Sequence, residues 1–168
     1  QVVAGNPAGL CRRAGDRSNR NEVSVVSQAD DRGTDGESTS TSSISEFDRV
    51  GGETAVRELV DRFYDLMDLD PGVSELRALH ATALDGSRDK LFWFLCGWLG
   101  GPQHYTERFG HPMLRARHMA FRIGIKERDQ WLACMRQAMS DQGLDPQLAQ
   151  RLDDAFFKTA DWMRNRGV

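Results

Sequence analysis

Residues 91–123, LFWFLCGWLGGPQHYTERFGHPMLRARHMAFRI, decide the fold. Their first part reads as a helix, because Leu91, Phe94, Leu95 and Trp98 recur at i, i+3, i+4 and i+7 and share one apolar face. Gly100-Gly101-Pro102 ends that helix, since glycine accepts a chain reversal and proline has no amide to donate. Further on, Gly110, Pro112 and Gly124 are too many breakers for one long helix and predict short helical turns joined by loop. His118 lies near the end of one such turn, after Leu114-Arg115-Ala116-Arg117 and before Met119-Ala120-Phe121.

On the N-terminal side, Val56, Leu59, Val60, Phe63, Tyr64 and Met67 form a second apolar stripe after Gly51-Gly52. The stripe predicts a helix of about 15 residues that stops near Asp70-Pro71-Gly72. The segment SELRALHATAL follows, and Asp85-Gly86-Ser87 reads as the N-cap region of the Leu91 helix. On the C-terminal side two more amphipathic helices are expected. One runs from Lys126 to about Gln142 with Trp131, Cys134, Met135, Ala138 and Met139 inward; the other runs from Pro146, a residue suited to a first helical turn, to about Asn165. No segment alternates as a half-buried strand does, so the expected class is all-α: four principal helices in antiparallel pairs, with room for a cofactor between the pairs.

Residues 1–46 are expected to be a disordered polar leader, rich in Ser, Gly, Asp, Arg and Thr, and residues 47–168 a single helical domain. The acids Asp16, Glu22, Asp30, Asp31, Asp35 and Glu37 argue against an organelle transit peptide. With Lys+Arg at 22 against Asp+Glu at 25, the formal charge of −3 gives no excess for binding nucleic acid or an anionic membrane. No apolar run of about 18 residues is present to span a bilayer. Cys11, Cys96 and Cys134 are scattered and odd in number, which favours a reduced, cytoplasmic setting and buried thiols over a zinc or disulfide framework.

His104, His111 and His118 stand seven residues apart and would share a face on an unbroken helix, but Gly110 and Pro112 break it. His118 is set apart by its surroundings. An imidazole amid apolar walls and flanking cations is what a flat apolar macrocycle with carboxylates at its rim requires of a protein: a nitrogen for the metal, hydrophobic faces and a charged edge. Spacing alone also suits an ordinary core or surface histidine, and it suits Tyr64 and Trp131 as plain core aromatics.

The words FLCGWLGGP, YTERFGHPMLRARH, FRI and ERDQWLACM, in that order and spacing, resemble the second group of the truncated haemoglobins, and the likeness runs from about Gly51 to the C-terminus. The resemblance implies a two-over-two helical sandwich around haem b (iron protoporphyrin IX), with His118 as proximal iron ligand. It further implies Tyr64, His80 and Trp131 as distal hydrogen-bond donors to a bound ligand, with His80 able to change charge near its ordinary value. Ser87 stands where many globins place a distal histidine. Lys90, Tyr105 and Arg117 match positions that meet propionates, with Ser87 as a further hydroxyl. Leu91, Phe94, Leu114, Phe121 and Leu132 are expected to line the cavity. Arg115 and Arg117, two apart on a helix, cannot both face the haem edge, and the resemblance favours Arg117.

The implied function is reversible binding of dioxygen at ferrous iron with slow release, which favours sensing, scavenging or redox chemistry over simple oxygen transport. NO, CO and peroxide are possible further ligands. The alternative is an enzyme, a nitric oxide dioxygenase or peroxidase-like protein using the same haem. That would need an external reductase, since no flavin motif is present in the sequence. Monomer and homodimer both remain open.

Overall fold

The computed structural model describes residues 44–167, so the expected leader lies outside the described residues except for its last three. The helices are α1 (Glu46–Val50), α2 (Gly52–Leu69), α3 (Ser74–Ala78), α4 (Asp85–Trp98), α5 (His104–Phe109), α6 (Leu114–His118), α7 (Ile125–Asp141) and α8 (Pro146–Met163). A single 3-10 turn, Pro71–Val73, precedes α3, and no strand occurs among the described residues.

Several boundaries have a local cause. Ser45 accepts a hydrogen bond from the Asp48 amide and starts α1, so the helical chain takes in Glu46, the last residue assigned to the leader. Gly51 closes α1 at φ 115°, where a side chain would be strained and its Cβ would come within 3.0 Å of Ala55. Asp70 ends α2 and accepts from Gly72 N at 2.8 Å, nucleating the 3-10 turn. Asp145 caps α8 by accepting from Gln147 and Leu148, and Pro146 fills the first turn as the sequence leads one to expect.

The start of α4 differs from expectation. Leu84 is its N-cap, and its carbonyl accepts from Ser87 N and Arg88 N, so Asp85, Gly86 and Ser87 lie inside the first turn and make no capping bond. Buried Leu84 anchors the turn instead, and Asp85 contributes only charge at the positive end of the helix.

The four long helices form two antiparallel pairs. In α7 and α8, Arg128 pairs with Asp161 at 2.5 Å and Arg136 with Asp153 at 2.6 Å, so residue numbers rise along one helix as they fall along the other. The first pair, α2 and α4, runs likewise: Arg57 meets Asp89 at 3.1 Å and Asp65 meets Arg88 at 2.6 Å. Helix α2 also packs against α7 and joins the pairs into the two-over-two arrangement. The stripe Val56, Leu59, Val60, Phe63 and Met67 is at most 1% exposed and meets Leu95, Cys96, Leu132, Met135 and Ala138 in one core. Cys96 and Cys134 are buried thiols pushed up to about 11 chiefly by burial, as small apolar groups in a core should be.

Helix α4 divides its apolar residues. Phe92, Leu95, Cys96 and Leu99 are fully buried, whereas Leu91, Phe94 and Trp98 of the expected stripe are only half-buried. The core of the chain therefore leaves a row of large apolar side chains incompletely covered.

Candidate functional site

Helix α6 is one turn long and buries none of its residues. It begins at Met113, whose φ of 46° is the one positive value at a non-glycine among the described residues, and the Met113 amide donates to His111 Nδ1 at 3.2 Å. At its other end the half-buried His118 places Nδ1 at 2.7 Å from Leu114 O. A carbonyl only accepts, so Nδ1 holds a proton, and in the neutral ring Nε2 keeps its lone pair. Phe121 lies 6.5 Å away, ring to ring, and is 43% exposed; Met119 beside it is 55% exposed.

Arg115 and Arg117 diverge, as residues two apart on a helix must. Arg115 turns to the end of α8 and donates to the carbonyls of Trp162 and Arg164. Arg117 donates to Pro112 O at 3.0 Å and holds its guanidinium 5.9 Å from the Tyr105 ring centre. Buried Tyr105 in turn meets Phe94 edge-on at 6.3 Å, so Arg117, Tyr105 and Phe94 form one group. Lys90 is exposed and has no ion-pair partner among the described residues; Leu91 and Leu114 are half-buried, and Leu132 is core.

The second cluster comes from α2, the α3–α4 loop and α7. Tyr64 is 5% exposed and packs edge-on against Phe63 at 4.9 Å and His80 at 5.8 Å. Burial pushes its phenol up to about 12, against weaker opposite effects of the Ser87 hydroxyl and the Arg88 guanidinium. The phenol therefore stays protonated. Ser87 is near enough to act on Tyr64 without reaching hydrogen-bond geometry. Trp131 is half-buried, 5.2 Å from Phe63 and 5.6 Å from Phe156, and its indole N–H has no partner among the described residues.

His80 departs from its expected role as a donor. Its Nδ1 lies 3.0 Å from Leu76 O and so carries the proton, which leaves Nε2 of the neutral ring an acceptor only. Its pKa is also lowered, first by burial and less by the positive charge of Arg77, against the raising effect of the Leu76 bond. Near neutral pH the donors of this cluster are Tyr64 and Trp131, and His80 accepts.

The spaced histidines serve separate ends: His104 Nε2 meets Glu53 at 2.6 Å, His111 accepts from Met113 and His118 turns to Leu114.

One supporting residue went unseen in the sequence. Gln130 is 8% exposed; it accepts from Leu76 N at 3.0 Å and donates to Gly72 O at 2.9 Å and Glu75 Oε2 at 2.8 Å. It thereby fixes the turn that carries His80. Its place at i, i+4 and i+8 with Cys134 and Ala138, a polar residue on an apolar face, was the available signal.

Comparison with known proteins is consistent in kind. The family model for bacterial-like globins matches residues 45–165. Group 2 truncated hemoglobin YjbI of Bacillus subtilis (strain 168) is 39% identical over 115 residues, covering 68% of this chain and 85% of that protein. Among solved structures, the group II 2-on-2 hemoglobin of Agrobacterium tumefaciens superposes with a TM-score of 0.73 at 40% identity, over 76% of this chain and 99% of that one. The truncated oxygen-avid haemoglobin of Bacillus subtilis gives 0.67 at 37% identity, over 73% and 100%.

Proposed function

Since this chain belongs to the bacterial-like globins, and among them to the group II truncated haemoglobins, we propose that it holds haem b through His118 and reversibly binds dioxygen on the side of Tyr64 and Trp131, releasing it slowly. When bound, the haem supplies a ferrous iron able to take a diatomic ligand.

The residues present fit such a group. His118 offers a free Nε2 on a ring locked by Leu114 O, the arrangement in which the second nitrogen fixes tautomer and orientation and raises basicity. Half-buried Leu91 and Phe94, and exposed Met119 and Phe121, leave apolar surface that a flat apolar molecule would cover. Lys90, Arg117 and Tyr105 supply two cations and a hydroxyl for a pair of carboxylates.

On the ligand side, Tyr64 and Trp131 each bring a donor from a different helix, and neither can lose its proton at physiological pH. The observation that carries the reading is that one fold brings a buried phenol and an indole N–H unpartnered among the described residues, both obligate donors, together with an imidazole whose neutral form has a free nitrogen. His80 Nε2, an acceptor, suits a role in orienting the Tyr64 hydroxyl rather than in holding the ligand. Small Ser87 obstructs the same region little.

Spectra of the ferric, deoxy ferrous and oxygenated protein, taken beside those of His118→Ala, test the proposal. A Soret band with a stable oxygenated spectrum, lost or altered in the variant, is expected; full pigment uptake with unchanged spectra in His118→Ala overturns it.

A further inference from the structure

Helix α6 has a mechanical difficulty. It presents the residue read above as the iron ligand, yet it is a single turn with no buried side chain, and residues 119–124 behind it form no regular element. Apolar packing alone cannot fix its orientation. Polar bonds from the end of α8 do so instead.

We propose that Asn165, two residues past the end of α8, is a positioning residue for His118. Its Nδ2 donates to His118 O at 3.1 Å and to Phe121 O at 2.7 Å, while its Oδ1 accepts from Ile123 N at 3.2 Å. Its backbone N–H donates to Ile123 O at 3.0 Å, and that of Arg166 to the same oxygen at 3.1 Å. One amide side chain thus spans the His118 helix and the strap leading to α7, with both donors and its acceptor engaged.

The anchor is itself held. Arg164, the residue before it, donates to Asp161 Oδ1 at 2.8 Å, and Arg128 of α7 donates to the same oxygen at 2.5 Å. Arg115 of α6 returns the grip by donating to Trp162 O and Arg164 O. Because the His118 ring is bonded to Leu114 O within α6, a tilt of that turn carries the ring with it. Partners that orient a metal ligand from outside its coordination shell tune the strength of the metal bond. Asn165 has that position at one remove, through the backbone of the ligand residue.

The inference rests on His118 as the iron ligand, so the test separates the two. The haem-loaded protein, Asn165→Ala, Asn165→Asp, His118→Gly and Arg136→Ala are compared by the iron–imidazole stretching band of the deoxy ferrous state, by haem loss to a scavenging apoglobin, and by amide exchange at Ile123. Asn165→Asp keeps the acceptor for Ile123 N but sets an oxygen against the two carbonyls.

Both Asn165 variants are expected to shift the band, to lose haem about tenfold faster, the lower end of effects seen for outer-shell partners, and to exchange Ile123 faster. Arg136→Ala, which breaks the exposed Arg136–Asp153 pair between α7 and α8, controls for general loosening and leaves the band in place. An unmoved band with unchanged haem loss in both Asn165 variants overturns the role of Asn165. A band that persists in His118→Gly overturns its premise instead. Asn165→Ser, read by the same criteria, serves if either variant fails to fold.

Discussion

His80 and His118 make the same local bond: each ring turns Nδ1 to the carbonyl oxygen four residues earlier, His80 to Leu76 at 3.0 Å and His118 to Leu114 at 2.7 Å. In the neutral form each ring is thereby held in the tautomer that leaves Nε2 its lone pair. For His118 the free nitrogen is what a metal needs. For His80 it means that the neutral ring has no proton to give inward.

That assignment predicts a pH dependence. With the pKa of His80 lowered by burial, the ring is neutral at pH 7 and gains its second proton only below its ordinary value of 6.5. Dioxygen release should be flat from pH 8 to 6.5 and slow at lower pH, as Nε2–H becomes a donor. His80→Phe should abolish the acid slowing and change release at pH 7 less than loss of Tyr64 does. Stopped-flow release measured across that range, in wild type and variant, decides it.

Tyr64 and Trp131 should dominate release at neutral pH. A hydrogen bond to a strongly polarised acceptor contributes about 1.5–3 kcal/mol, so Tyr64→Phe should release dioxygen roughly 10- to 100-fold faster and Trp131→Phe roughly tenfold faster. The two donors serve one acceptor, so the double variant should fall short of the product of the single effects. Release rates equal to wild type in both single variants would remove them from the ligand site.

The helices were legible because their signals are local. The stripe on α2 and Pro146 each act within a turn or two of where they stand in the sequence, and the structure uses them as read. The start of α4 was misread because an acidic and hydroxyl-bearing triplet resembles a cap, while the deciding contribution, burial of Leu84, comes from tertiary packing. His118, Tyr64 and Trp131 stood out as residues, but the tautomer of His80, and with it the change from donor to acceptor, depends on a carbonyl direction that no residue pattern encodes. Gln130 and Asn165 were missed for a related reason, since they act on backbone groups 54 and 47 residues away.

Tyr64 should also leave a mark on alkaline stability. Its phenol rises from 10.0 in the unfolded chain to about 12 in the fold, so above pH 10 the folded state holds a proton that the unfolded chain has lost. The stabilisation is whole below pH 10 and is lost as pH climbs toward 12, about 3 kcal/mol in all. Cys96 and Cys134, pushed up to about 11, add a loss of the same sign from pH 9. Denaturant unfolding of the apoprotein at pH 9 to 12 should show a shallower decline in Tyr64→Phe than in wild type, with the thiol contribution common to both.

Gly101→Ala should be costly out of proportion to one methyl group. A Cβ there would lie 2.5 Å from Phe47 Cγ, the root of the ring and not its mobile end, and the Phe47 amide is already bonded to Leu99 O. Relief requires α1 to move off the end of α4. Overpacking of this kind costs about 1–3 kcal/mol, which should appear as a lower urea midpoint with an unchanged slope.

Gln130→Leu tests how the turn that carries His80 is held. The change keeps bulk on the buried face of α7 but removes the acceptor of Leu76 N and the donor to Gly72 O and Glu75. A buried N–H left without a partner costs about 1–3 kcal/mol. Leu76 is also the residue whose carbonyl fixes the His80 ring, so the loss should reach the ligand site as well as stability. The variant is expected to unfold at lower denaturant, to exchange the Leu76 amide faster and to weaken the acid slowing of dioxygen release, while release at pH 7 stays near wild type. Equal destabilisation with the acid response intact would mean that Gln130 supports the fold without orienting His80.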